Sequence, residues 1–152
     1  MQKKQLSFQE GLVKLQRYCA YQERCHSEVQ QKLYDLGVWK NDAENIVVKL
    51  IEGNFLNEER FAESYVHGKF TIKHWGKTKI KLKLKEKKVS DYLINKALAQ
   101  IDDTDYLKTL EKLLTKKRKE YKTKYKGYEL KAKLINYALS KGFEMEVVRE
   151  FA

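Results

Sequence analysis

Proline is absent from the 152 residues and only 7 glycines occur, against roughly seven prolines and ten glycines at average usage. Sandwiches and other turn-rich folds draw heavily on both residues, so their scarcity favours helix throughout. No stretch approaches 18 uninterrupted apolar residues, which leaves no membrane-spanning helix to expect. The opening MQKKQLSFQE also lacks the apolar run of a secretory signal. A cytoplasmic location and no membrane contact are the expectation. The two cysteines, Cys19 and Cys25, have no second pair and are expected as reduced thiols. His26, His67 and His74 form neither H-E-x-x-H nor a Cys/His cluster at ligand spacing. Gly76-Lys77-Thr78 matches only the end of a phosphate-binding loop, with Thr71 where that loop needs glycine and no strand before it. Glu58 and Glu59 open a helix, where negative charge is favourable without any acid–base role. Neither an enzyme nor a metal or other cofactor is called for.

What the chain has in excess is lysine. Its 32 basic residues outnumber 21 acidic ones for a net charge of +11, and only five of the 32 are arginine. Lys69 to Lys88 carries +8 in 20 residues and Lys116 to Lys133 carries +7 in 18, so the remaining 114 residues sum to −4. Solvated helix faces usually intersperse signs, and concentrated cations repel each other until an anion arrives. A polyanionic partner follows, nucleic acid being the common one. Lysine is a point charge without the planar fork that reads guanine, so backbone contact without sequence readout is expected. Tyr121, Tyr125 and Tyr128 stand among the second group of cations and suit two roles equally: stacking on unpaired bases, or packing within a bundle at i, i+4, i+7.

Helical spacing recurs along the chain. Ser7-x-x-Glu10 is a capping box leading into Leu12, Leu15 and Cys19. Ser27-Glu28-Val29-Gln30 looks like a second start, with Val29, Leu33 and Leu36 ending at Gly37, a left-handed stop. Asn41 to Glu44 looks like a third, followed by Ile46, Val47, Leu50 and Ile51 on one side and by Gly53. KLYDLGV, KLKEKKV and YALSKGF then align at offsets of 51 and 54, which places Val29, Ile80 and Leu134 at one position and Leu33, Leu84 and Ala138 four residues on. Three copies of a three-helix unit result, at 1–55, 56–101 and 102–152. Lys77 to Lys85 alternates Lys with Ile80, Leu82 and Leu84, a strand pattern taken alone. The repeat overrules it, because the equivalent residues of the first unit read as helix.

The stretches ERCHSEVQQKLYDLG, GNFLNEERFAESYV, GKTKIKLKLKEKKV and KLINYALSKGF resemble, in order and spacing, the RecX family of recombination regulators. Phe55-Leu56-Asn57-Glu58-Glu59-Arg60-Phe61-Ala62 is the most specific piece, similar to the family's acidic-Arg-Phe-Ala signature. The resemblance spans essentially the whole chain. It implies an all-α, elongated crescent of three tandem three-helix repeats. It also implies binding to the RecA recombinase on single-stranded DNA, with restraint of ATPase and strand exchange. Two departures stand out: lysine replaces most of the family's arginine, and Lys88 replaces the glycine usual before the apolar residue that ends the second middle helix. Arg60 and Phe61 read as structural, through local ion pairing and the core.

The leading expectation is a monomer in which Lys69, Lys73, Lys77, Lys79, Lys81, Lys83, Lys116, Lys117, Arg118, Lys119, Lys122 and Lys124 form one stripe. That stripe would meet the phosphates of single-stranded or duplex DNA and acidic surface of a RecA filament, with Tyr121 and Tyr125 available to stack. The rival expectations are a general nucleic-acid-binding helical module and, for the basic amphipathic helix alone, a membrane surface.

Overall fold

The computed structural model describes residues 6–152; residues 1–5, which open the expected first repeat, lie outside the described residues. Nine helices and no strand occur among the described residues. They are α1 (Phe8–Tyr21), α2 (His26–Asp35), α3 (Lys40–Glu52), α4 (Glu58–Thr71), α5 (Lys77–Glu86), α6 (Asp91–Leu98), α7 (Asp103–Tyr121), α8 (Gly127–Ser140) and α9 (Met145–Val148). The alternating segment is therefore helical, with Ile80 and Leu84 fully buried and Leu82 56% exposed. A step of two residues turns a helix by about 200°, which is why the pattern of a strand survives here with its middle apolar residue facing water.

Local chemistry fixes most helix starts. The side chains of Ser7, Asn57, Ser90 and Asp102 accept from the backbone N–H three residues on, at 3.1, 2.9, 3.3 and 3.0 Å, satisfying amides left open in the first turn. Two starts differ from expectation. Helix α2 begins at His26 behind Cys25, whose N–H donates to Glu28 at 3.0 Å; Ser27 lies inside the helix, and its hydroxyl donates instead to the Lys87 carbonyl at 2.7 Å. Helix α3 begins at Lys40 behind Trp39, ahead of Asn41. Ile51 is 45% exposed, because it lies about 100° round the helix from buried Leu50.

The equivalent positions of the middle helices all carry core residues: Val29, Ile80 and Leu134 are at most 2% exposed, as are Leu33, Leu84 and Ala138. Two cores result. Leu15, Cys19, Val29, Leu33, Ile46, Leu50 and Leu56 form the first, within α1 to α3 and the segment after them. The other six helices share a second, which includes Phe61 and Tyr106 and takes in Cys25 from the first group. The accessible surface is 10090 Å², against about 8,100 Å² for a compact monomer of this mass. The arrangement is spread out.

The groups of helices meet at the ends of their middle helices. At the first joint, the Lys87 carbonyl closing α5 receives the Ser27 hydroxyl of α2, and Lys87 Nζ pairs with Glu28 at 3.3 Å. At the second, carbonyls at the end of α8 receive backbone N–H groups at the start of α5: Gly76 donates to Lys141 at 2.7 Å and Thr78 to Gly142 at 3.0 Å. Tyr106 completes that joint, its hydroxyl accepting from the Lys77 N–H at 2.9 Å and donating to Glu144. Arg60 secures the entry to the second group. Its guanidinium donates to Glu23 at 2.6 Å and to the Asn54 side chain and the Asn54 and Phe55 carbonyls at 3.0–3.3 Å, holding Asn54 at φ 60. Phe61 is 5% exposed. The structural reading of both residues stands.

Gly37, Lys88 and Gly142 follow the three middle helices at equivalent positions, with φ 73, 64 and 97. The left-handed stop thus persists without glycine in the second helix, and Val89 still donates to Leu84 at 3.2 Å. A side chain in this conformation costs about 1–2 kcal/mol, part of which glycine would return as unfolded-state entropy. Lys88→Gly should therefore raise the unfolding free energy by about 0.5–1 kcal/mol, read from urea denaturation. Gly76→Ala should do the opposite, since its Cβ would overlap the Gly142 carbonyl; a loss of about 2–3 kcal/mol is expected in the same measurement.

Candidate polyanion interface

The lysines of α5 divide by position. Lys83, Lys85 and Lys87 each face an acid, Glu86 at 3.6 Å, Asp91 at 3.6 Å and Glu28 at 3.3 Å. Lys77, Lys79 and Lys81, in the first half, have no carboxylate within ion-pair distance among the described residues. The helix period separates them further. Taking Ile80 as inward, Lys77 and Lys81 flank one side of the buried stripe and Lys79 and Lys83 the other. Lys77 Nζ stands 4.8 Å from the Tyr106 ring centroid, and Lys79 Nζ stands 4.4 Å from that of Trp75.

Around Trp75 the charge converges. Lys69, from α4, places its Nζ 4.8 Å from the same indole and 5.4 Å from the Tyr65 ring. Lys141, at the end of α8, donates from Nζ to the Lys73 carbonyl at 3.0 Å. Burial first, then the neighbouring Lys79 and Lys73 ammonium groups, lower the Lys141 pKa. Lys69, Lys73, Lys79 and Lys141 thus form a cationic cluster drawn from three helices and the turn after α4, with no acid to neutralise it among the described residues. A folded pKa below the unfolded one means that the penalty on Lys141 is full at neutral and lower pH. It disappears only as pH rises through the unfolded value. A bound anion would remove it at neutral pH. The helix dipole adds little here, since the α8 carbonyls already cover the first turn of α5.

The second basic run does not form one face. Lys116, Lys117, Arg118 and Lys119 are consecutive on α7 and so point about 100° apart. Lys117 Nζ lies 3.2 Å from Glu120 and over Tyr121 and Tyr137 at 5.2 and 4.8 Å. Arg118 donates to the Phe151 carbonyl at 3.2 Å. Lys116 and Lys119 border an outward hollow with Glu111, Lys112 and Thr115. Lys122 and Lys124 are exposed in the turn after α7. Tyr121 and Tyr125 meet edge to face at 5.9 Å with Lys133 Nζ 5.0 Å above Tyr125, and Tyr121 packs on the core. Tyr128 alone of the three is fully free, at 92% exposed. The single expected stripe is thus resolved into a compact cluster around Trp75, two lysines on the Tyr106 side of α5, and cations distributed round α7. Lys141 escaped sequence reasoning because it lies outside both charged runs. The alignment that pairs Lys87 with Lys141 held the only signal of its place at a joint.

No group of three or more His, Cys, Asp or Glu residues able to hold a metal occurs among the described residues, and no helix there is long and apolar enough to cross a membrane. Fold and surface define a class: an all-helical repeat scaffold presenting cations from the junctions of its units. Residues 57–98 match the second three-helix domain of RecX and residues 103–151 the third, and the chain belongs to the RecX family, whose curated relatives bear the name regulatory protein. It is 30% identical over 137 residues to regulatory protein RecX of Streptococcus uberis, covering 87% of this chain and 50% of that one. To its counterpart in Clostridium perfringens strain 13 it is 33% identical over 124 residues, covering 81% and 58%. The chain therefore spans about half the length of the curated relatives it matches. The crystal structure of RecX from Lactobacillus salivarius superposes with a TM-score of 0.85 at 27% identity, over 95% of this chain and 93% of that one. A second RecX crystal structure matches at 0.86 and 22% identity, covering 95% and 70%, and supports the fold alone.

If the cluster meets phosphates, each of its lysines releases counterions on binding. Lys141→Ala should lower the log–log salt slope for single-stranded DNA by roughly 0.7, as should Lys79→Ala. Fluorescence anisotropy at several salt concentrations reads this directly, and an unchanged slope for both variants would exclude the cluster from the contact.

Proposed function

We propose that this chain regulates the RecA recombinase by lying on the RecA filament formed with single-stranded DNA. The cluster of Lys69, Lys73, Lys79 and Lys141 would be its principal phosphate and acidic-surface contact. The observation that carries this reading is the cluster itself: four lysines collected at one joint of a RecX-family scaffold and unpaired by acids among the described residues, with burial first and then Lys79 and Lys73 lowering the pKa of Lys141. Occupancy explains the regulation. A rigid scaffold bridging neighbouring filament subunits obstructs an incoming duplex. It slows ATP turnover to the extent that it binds one filament state better than another, since only differential affinity shifts that equilibrium. The three expected repeats, 1–55, 56–101 and 102–152, supply the reach.

RecA's DNA-dependent ATP hydrolysis should fall when substoichiometric chain is added to preformed filaments. Changing Lys73, Lys79 and Lys141 together to Glu should restore at least most of the rate while leaving the circular dichroism spectrum unchanged. Unaltered hydrolysis with the wild-type chain, alongside equal affinity for bare and RecA-coated single strands, would instead favour a general nucleic-acid-binding module.

A further inference from the structure

Glycine inside a helix costs about 1 kcal/mol relative to alanine, so an interior glycine calls for a reason. For Gly11 packing supplies it, since a Cβ there would come within 2.9 Å of Ile46 Cδ1. Gly68, ten residues into α4, has no such reason: a Cβ would have no heavy atom within 4 Å. What the missing side chain leaves is a recess of about 210 Å³ on the outer side of α4, lined by Ser64, Tyr65, Gly68, Lys69, Ile72 and Lys73. Its walls are largely apolar. Ile72 is 72% exposed beside it, a large aliphatic side chain kept in water next to a cationic rim. Two of the cluster's lysines, Lys69 and Lys73, belong to that rim, and Lys79 and Lys141 stand just beyond it around Trp75.

We infer that the Gly68 recess seats one unstacked base of a single-stranded nucleic acid while the surrounding lysines hold the phosphates on either side. The inference deepens the proposed function and rests on its reading of the cluster as a phosphate contact. An apolar floor bounded by ammonium groups matches the alternation of ring and phosphate along a single strand. A protein's acidic surface does not regularly alternate flat rings with its charges, and a duplex keeps its bases stacked. Contact through a ring face is tolerant of base identity, in keeping with a site built from lysine and aliphatic side chains.

The test compares a short oligothymidine with an abasic oligomer of equal length and charge, by anisotropy on the full chain. Wild type should bind the base-bearing strand about tenfold more tightly, the scale of one stacked base. Gly68→Leu, which puts a side chain into the recess from a Cβ with no heavy atom within 4 Å and improves helix propensity, should bring the two affinities together with an unchanged salt slope and no fall in Tm. Ile72→Ala, at an exposed position, should narrow the difference by removing one wall. Equal affinities for the two strands in wild type, or a preference that survives Gly68→Leu, would overturn the inference while leaving the phosphate reading in place. Failure of both strands to bind in a salt-dependent way would overturn the phosphate reading and the recess with it.

Discussion

The docking of each middle helix onto the start of the preceding one is the constraint on which the rest depends. A helix ends with four carbonyls lacking partners and begins with four such amides, and in this chain those two deficits meet. The end of α8 gives the Lys141 and Gly142 carbonyls to the Gly76 and Thr78 amides, bringing opposite dipole ends together. Such backbone approach tolerates no side chain, and both Gly76 and Gly142 lie where a Cβ would overlap the opposing strand of backbone. The first joint carries Cys25 and Lys88 at the corresponding positions. There both positions carry side chains, and the Ser27 hydroxyl spans the gap to the Lys87 carbonyl. The difference extends inward: helices joined backbone to backbone share a core, while α1 to α3 keep their own and contribute only Cys25, from the residue before α2, to the other.

The same docking decides where positive charge remains free. At its C-terminal end, α5 comes against α2 and brings Lys87 to Glu28, while Lys83 and Lys85 find acids nearby. At its N-terminal end it receives α8, whose last turn contributes another lysine and no acid. A helix with a monotonous run of lysine is thereby divided into a neutralised half and a charged half by its own Glu86 together with Glu28 and Asp91 of its neighbours. Lys141 is held in place by the Lys73 carbonyl despite two ammonium groups nearby, a tension that the joint's backbone bonds are strong enough to sustain. The charge is thus built in at a junction between units, whatever meets it.

The sequence disclosed the features that depend on spacing alone. The buried pairs Val29/Leu33, Ile80/Leu84 and Leu134/Ala138 follow from a step of four and from the offsets of the repeat, and the repeat correctly outweighed the strand-like alternation at Lys77 to Lys85. The caps at Ser7, Asn57 and Ser90 are short polar side chains at predictable starts. The starts of α2 and α3 were shifted because Cys25 and Trp39 have no oxygen to announce a cap, and α2's capping bond comes from Glu28 further along. Lys88 was legible as a departure but not in its outcome, since whether a lysine accepts φ 64 depends on how firmly the packing of Val89 demands that turn. For the candidate site, the run of lysines in the sequence already marked Lys69, Lys73 and Lys79. Lys141 and the opening at Gly68 required the tertiary arrangement, as did the separation of four consecutive cations round α7.

Lysine and arginine divide the work along lines their chemistry sets. Arg24 lies 3.7 Å over the Tyr18 ring and donates to the Tyr18 carbonyl at 3.0 Å. Arg60 spends its whole fork on Glu23, Asn54 and Phe55, and Arg118 reaches the Phe151 carbonyl. Three of the five arginines are thus engaged in scaffold contacts, where a planar donor set fixes orientation. The cluster round Trp75 contains only lysine, a charge on a flexible stem that attracts an anion without dictating its geometry. A polyanion meeting this surface would be held by its charge and spacing, so any preference for an unstacked base over a bare phosphate chain would have to arise from shape. Beside the cluster, the recess left open at Gly68 offers such a shape.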